Sequence, residues 1–188
     1  MTPLIVLGVL VALVIVLLWW AVATYNGLVK ARTQVDASWA QIDVQLKRRH
    51  SLIPNLVETV KGYAAHERGT LESVVAARNA AAGSAAAGPG QQAQAEGMLT
   101  QALGRLFALA EAYPDLKANQ NFLQLQGELG STEEKIAYAR QFYNSAVQTY
   151  NQKIQTLPTN IVAGIGGFHA RPYFEAAAGE RADVNVRF

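Results

Sequence analysis

Two short clusters in this chain carry residue types capable of chemistry, and neither completes a reaction centre. His66-Glu67 opens like the H-E-x-x-H signature of zinc proteases. There, two imidazoles four residues apart grip the metal from one helical face, and the glutamate serves as general base. The position of the second imidazole is Thr70, and His50 and His169 stand isolated. No metal and no cofactor is expected. No Ser-His-Asp set, nucleotide loop or paired-carboxylate pocket is legible, so the sequence reads as a non-enzyme. Lys47-Arg48-Arg49-His50 is the densest basic cluster. Asp36, Asp43 and Glu58 dilute it, and the net charge is only +2 over 188 residues, which argues against a nucleic-acid partner. The cluster is expected to be a solvated helix face.

Charged and amide side chains also interrupt otherwise apolar stripes. Glu67 does so in the first stripe, Glu133 and Arg140 in the last, and Asn144 and Asn151 lie one heptad apart beside stripe tyrosines. Two readings stay open. These are rim positions whose side chains snorkel to water, or they form an interhelix polar layer that fixes register between helices or protomers.

The elements that must position these residues begin with an anchor. Leu4 to Ala23 is an apolar run of twenty residues without a charge. As a helix it measures roughly 30 Å, the thickness of a bilayer's hydrocarbon core. Trp19, Trp20 and Tyr25 gather at one end, where amphipathic rings favour the headgroup region. Ala21-Val22-Ala23 resembles a signal-peptidase site, but the residues before the run carry no Lys or Arg and the run is too long for a signal peptide. Retention of residues 1–24 as a transmembrane anchor in the bacterial inner membrane is expected. Lys30 and Arg32 follow the span before any acidic residue, so the positive-inside rule places the soluble domain in the cytoplasm.

Beyond the anchor the apolar residues keep helical time. Leu28, Val35, Trp39, Ile42, Leu46, Ile53, Leu56, Val60, Leu71 and Val74 form one stripe, read as a long helix with no turn until Gly83. Pro54 is expected to bend this helix rather than end it, since the stripe holds phase across it. On a straight helix Arg49 would lie roughly 39 Å past Ala23, far beyond a Debye length of about 8–10 Å, so the basic cluster cannot reach its own membrane. Gly88-Pro89-Gly90 breaks a low-complexity connection. A shorter helix runs to Tyr113-Pro114, and a last one from Ala118 to Leu157 carries Phe122, Leu125, Leu129, Ile136, Tyr143, Val147 and Tyr150. Ser131 and Glu134 make a capping-box pattern inside it, but the stripe carries through. Val184 to Phe188 alternates like a short strand. The expected organisation is an all-α chain: anchor 1–24, antiparallel up-and-down helical bundle 25–158 with a loop at 83–90, and tail 159–188.

Tyr25-Asn26, the block from Val35 to Glu67, the block EAYPDLKANQNFLQLQGELGSTEEKIAYARQFYN from Glu111 to Asn144 and a second Tyr-Asn at 150–151 closely resemble the LemA family of bacterial membrane-anchored proteins. The resemblance covers nearly the whole chain from Tyr25. It implies a helical bundle behind an N-terminal anchor and no established catalytic activity. Related proteins in magnetosome-forming bacteria are linked to organelle membrane formation. Some relatives carry a lipobox cysteine before the first Tyr-Asn, which would put their domain outside the cytoplasm; this chain has Ala23-Thr24 there.

Helices of unequal length leave Val35, Trp39, Ile42 and Leu46 in need of cover. Either the tail from Ile161 to Phe174 or neighbouring protomers supply it, and alignment in a membrane favours neighbours. The expected function is therefore a self-associating membrane scaffold whose partners are the bilayer and its own copies. The alternative is an adaptor or regulator of another membrane protein, such as a protease or sensor kinase. For topology, a single cysteine placed in the Gly88–Gly90 loop of this cysteine-free chain should resist a membrane-impermeant thiol reagent in intact cells. Ready labelling would put the domain on the outer side.

Overall fold

The stripe that opens at Leu28 belongs to two helices, not one. In the computed structural model, which describes residues 2–64 and 66–175, α1 runs from Thr2–Lys61 and α2 from Arg68–Gly83. Between them Tyr63 and Ala64 both donate their backbone N–H to the Val60 carbonyl, which ends the first helix. Gly62, a poor helix former, stands at the break. Periodicity misses it for a simple reason: Val60 and Leu71 are eleven residues apart, almost a whole number of helical turns, so the phase is kept across a break. A 3-10 turn, Ser84–Ala86, leads to α3, Pro89–Ala110. Gly88 takes φ of 92°, open only to glycine at low cost, and Pro89 follows in the first turn, where its missing N–H loses nothing. The short α4, Pro114–Lys117, precedes α5, Gln120–Gln155, which passes through Gly130 and Ser131 without a break. The short helix α6, Thr159–Ile165, follows. The strand-like alternation at Val184–Phe188 lies outside the described residues.

The chain divides into two units. One comprises Met1–Ser38 with Asn144–Arg171; the other comprises Trp39–Tyr143 with the segment from Pro172. The second unit is an antiparallel bundle of the end of α1, α2, α3 and the start of α5. Its core includes Ile53, Leu56, Val60, Leu71, Val74, Leu99, Leu106, Leu116, Phe122 and Leu129. Phe107 meets Phe122 edge to face at 6.2 Å. Each large side chain buried there contributes roughly 1.5–3 kcal/mol.

Pro54 sits inside α1, as the unbroken stripe requires. It cannot donate to the carbonyl four residues back, which belongs to His50. That carbonyl has another donor: the Arg78 Nε from α2, at 3.2 Å. A buried carbonyl left without a donor costs about 1–3 kcal/mol, so a side chain from the neighbouring helix supplies what proline removes. Arg78→Ala should destabilise the protein by about 1–3 kcal/mol in denaturant titrations followed by far-UV circular dichroism. In a Pro54→Ala background, where residue 54 regains its own N–H, the same change should cost much less. Equal costs in both backgrounds would separate Arg78 from the proline.

Candidate functional site

The most concentrated polar chemistry lies within the bundle unit, where α1 meets α3 and α5. Leu46, Arg49, His50 and Ile53 are three or four residues apart, so the stripe that buries the leucine and isoleucine turns Arg49 and His50 inward too. Lys47 and Arg48 stay exposed. The basic cluster is therefore not one solvated face: helical geometry divides it into two outward and two inward side chains. On α3 the same logic places Gln92 and Glu96 on the face of Leu99 and Leu103, and both are buried.

Glu96 takes both side chains at once. Its Oε2 accepts from the Arg49 guanidinium at 3.3 Å and its Oε1 from His50 Nε2 at 2.8 Å. A carboxylate can only accept, so Nε2 is the protonated nitrogen of His50. Arg49 also donates to Thr100 Oγ1 at 2.7 Å, and Thr100 donates in turn to the Glu96 backbone carbonyl at 3.1 Å. Glu133, half exposed on α5, lies 3.4 Å from the same guanidinium. Arg140 lines the adjoining pocket of about 220 Å³ together with Arg49, Glu96 and Glu133. Desolvating two charges is expensive, and the attraction offsets it only when the remaining donors and acceptors are also engaged. Here they are. The arrangement neutralises charge and ties three helices in one register.

Among the residues expected to form an interhelix polar layer, the structure brings only Glu133, with Arg140 beside it, to this node. Glu67 stands in the turn before α2, where it accepts from the Tyr113 hydroxyl at 3.2 Å. Burial, then this carboxylate, push the Tyr113 phenol above its ordinary pKa. His66 is exposed in the same turn rather than on a helix. Asn144 is half-buried on α5. Asn151 works in the other unit, where it donates to the Arg171 carbonyl and accepts the Arg171 N–H, both at 2.9 Å. Glu67, Glu133 with Arg140, and Asn151 thus each have a different set of neighbours.

That second site is a clamp. Tyr150 is buried and donates to the His169 carbonyl at 3.0 Å, and Arg171 pairs with Asp36 at 3.1 Å. Burial pushes the Tyr150 phenol up, against the opposing pull of Arg171 and Arg32. Because the folded value is raised, its contribution is complete below the ordinary phenol range and is lost only as pH rises through the raised value. Of the residues assigned to the membrane interface, Trp19 and Lys30 are exposed and Trp20 is half-buried. Tyr25 meets Phe168 edge to face at 5.4 Å, and the Arg32 guanidinium lies 5.3 Å over the same ring.

The four residues of the expected self-association stripe are placed as follows. Val35, Ile42 and Leu46 are buried within the chain. Trp39 is half-buried, with Tyr143 at 5.2 Å and Phe174 at 5.5 Å. The chain's own tail covers Trp39, so no neighbour is needed for that cover. The sequence carried the signal for the inward Arg49, His50 and Glu96 in their stripe spacing; it carried none for which partners they meet. For the ionic node, Glu96→Ala strands a buried guanidinium and should cost about 3–5 kcal/mol in detergent-solubilised protein. Glu133→Ala, on the exposed rim, should cost about 0–1 kcal/mol. Equal losses would remove Glu96 from the centre of the node.

The comparisons with known proteins agree with this architecture. The model of the LemA family matches residues 38–188. Magnetosome protein MamQ 1 of Paramagnetospirillum magneticum is 31% identical over 175 residues, covering 80% of this chain and 64% of the relative. Magnetosome protein MamQ of Magnetospirillum gryphiswaldense is 30% identical over 181 residues, covering 83% and 66%. Protein LemA of Metamycoplasma hominis is 26% identical over 161 residues, covering 86% and 73%. The chain thus spans just under two thirds of the length of the magnetosome relatives it matches. A match across most of the chain, on a bundle behind an apolar N-terminal helix, places this protein in the LemA family.

Proposed function

We propose that this protein is a non-enzymatic scaffold of the bacterial inner membrane, anchored by the first part of α1 with its bundle in the cytoplasm, and that it self-associates through one face of that bundle. One observation supports the association most. On the α1 and α5 surface, Val44, Tyr138 and Phe142 are large, apolar and 60%, 75% and 49% exposed. Together with Ala40, Gln41, Gln45, Lys135 and Ala139 they line an open groove of about 680 Å³. A face with these properties gains by burial, and tethering copies in one membrane raises their effective concentration without any new contact. The magnetosome relatives support a membrane setting for the fold.

The scaffold and adaptor readings separate on mass. Detergent-solubilised protein should scatter light as a defined oligomer, and Tyr138→Glu with Phe142→Glu should shift it toward monomer while far-UV circular dichroism stays unchanged. A monomeric parent protein would overturn the scaffold and leave the same face for a different membrane protein.

A further inference from the structure

We propose that α6 is a second membrane contact, lying in the bilayer interface beside the transmembrane segment with its outer face in anionic lipid. This rests on the reading of α1 as the anchor and adds a site to it. Ile161 and Ile165 are four residues apart on α6 and share one face, and they are 57% and 86% exposed. Leu157, just before the helix, is 72% exposed. The opposite face carries Ala163, which is buried. A seven-residue helix is therefore two-sided, with its larger apolar side chains facing out.

Height along α1 places that face. Phe168 contacts both Tyr25 and Arg32. Measured along the helix, these stand about 3 Å and about 14 Å past the last residue of the apolar run. Ile165 is three residues before Phe168, so it lies within about 10 Å of chain of that ring. The headgroup zone on each side of a bilayer is about 5–8 Å deep, so Ile165 lies within reach of it.

The ends of α6 explain how the chain holds this position. Gly167, at φ of 67°, and Phe168 close the helix: the Phe168 N–H bonds to the Ala163 carbonyl at 3.0 Å and the Gly167 N–H to that of Gly164 at 3.4 Å. A Cβ on Gly166 would come within 2.6 Å of the Phe168 ring, so that ring is pressed against the helix end. Beyond it the Tyr150 and Asn151 clamp fixes residues 169–171.

Charge favours the same occupant. In the stretches 24–38 and 144–171 the sequence has four cationic side chains, Lys30, Arg32, Lys153 and Arg171, against the single carboxylate of Asp36. Asp36 is paired with Arg171. Cations near a membrane surface are drawn to anionic lipid, and the apolar face of an interfacial helix buries among the headgroups.

The absence of cysteine allows a direct test with the full chain. Ile165→Cys, Leu13→Cys and Ser131→Cys, each labelled with an environment-sensitive fluorophore, would be reconstituted in vesicles of phosphatidylcholine and phosphatidylglycerol. Lipid-borne nitroxides should quench the label at 165 several-fold more than the label at 131, and an aqueous quencher should do the reverse. The label at 13 should be quenched by nitroxides deep in the acyl chains. If 13 lies in lipid but 165 behaves like 131, the interfacial helix is wrong and the anchor stands. If 13 is also in water, the anchor reading fails and this one with it. Protection of position 165 from both quenchers, with disulfide cross-linking between copies of the unlabelled Ile165→Cys variant, would overturn it in favour of a protein contact.

Discussion

A backbone inside hydrocarbon has no water to bond, so it must close its hydrogen bonds on itself. The first part of α1 meets that condition as the opening of an uninterrupted helix, Thr2–Lys61, long and apolar enough to cross a membrane. The backbone does not change along that length; the side chains do. Up to Ala23 they are apolar and almost all exposed. From Leu28 a stripe turns inward, and Leu28, Val35, Ile42, Leu46, Ile53, Leu56 and Val60 are buried. One helix therefore carries first an apolar, exposed stretch and then an inward-facing stripe. The core built by Leu99, Leu106, Leu116, Phe122 and Leu129 closes on its last turns, at Ile53, Leu56 and Val60.

Charge on that stripe sets a second constraint. Apolar faces alone are forgiving: a bundle of leucines and valines tolerates shifts of its helices that keep the total burial. Arg49 and His50 do not, because each needs Glu96 within hydrogen-bond reach. A slipped helix would bury a guanidinium and a carboxylate apart, at several kcal/mol each. The node thus selects one register rather than adding much stability. Pro54 tightens the same region, since its missing donor makes the His50 carbonyl dependent on Arg78. Two conditions that read as defects, a charge on an apolar stripe and a proline inside a helix, are resolved by side chains of neighbouring helices.

The unit that holds residues 144–171 meets a different difficulty. Residues 169–171 follow α6 without regular secondary structure, so their backbone groups have no ladder to join. Side chains from α5 take that part: the Tyr150 hydroxyl serves the His169 carbonyl, and the Asn151 amide serves both polar groups of the Arg171 backbone. An amide is suited to this because it donates and accepts at once. The Tyr-Asn pair that looks like a family signature in sequence is, physically, the fastener for an extended segment.

Much of this was open to a reader of the sequence. Twenty uncharged apolar residues specify a helix long and apolar enough to cross a membrane. The spacing of Phe122 through Tyr150 specifies α5, and it holds through Gly130 and Ser131 as the structure shows. The same spacing set Arg49, His50 and Glu96 on inward faces, yet residue type argued for solvent, and type was the weaker guide. The turn after Val60 escaped notice because eleven residues preserve the phase. What covers Trp39 was also beyond reach: Phe174 lies 135 positions away, and no local pattern joins the two. Periodicity reports which side of a helix faces inward. It carries no information about which residue of another helix stands opposite, because that depends on the register and crossing of whole elements, settled only when the chain packs.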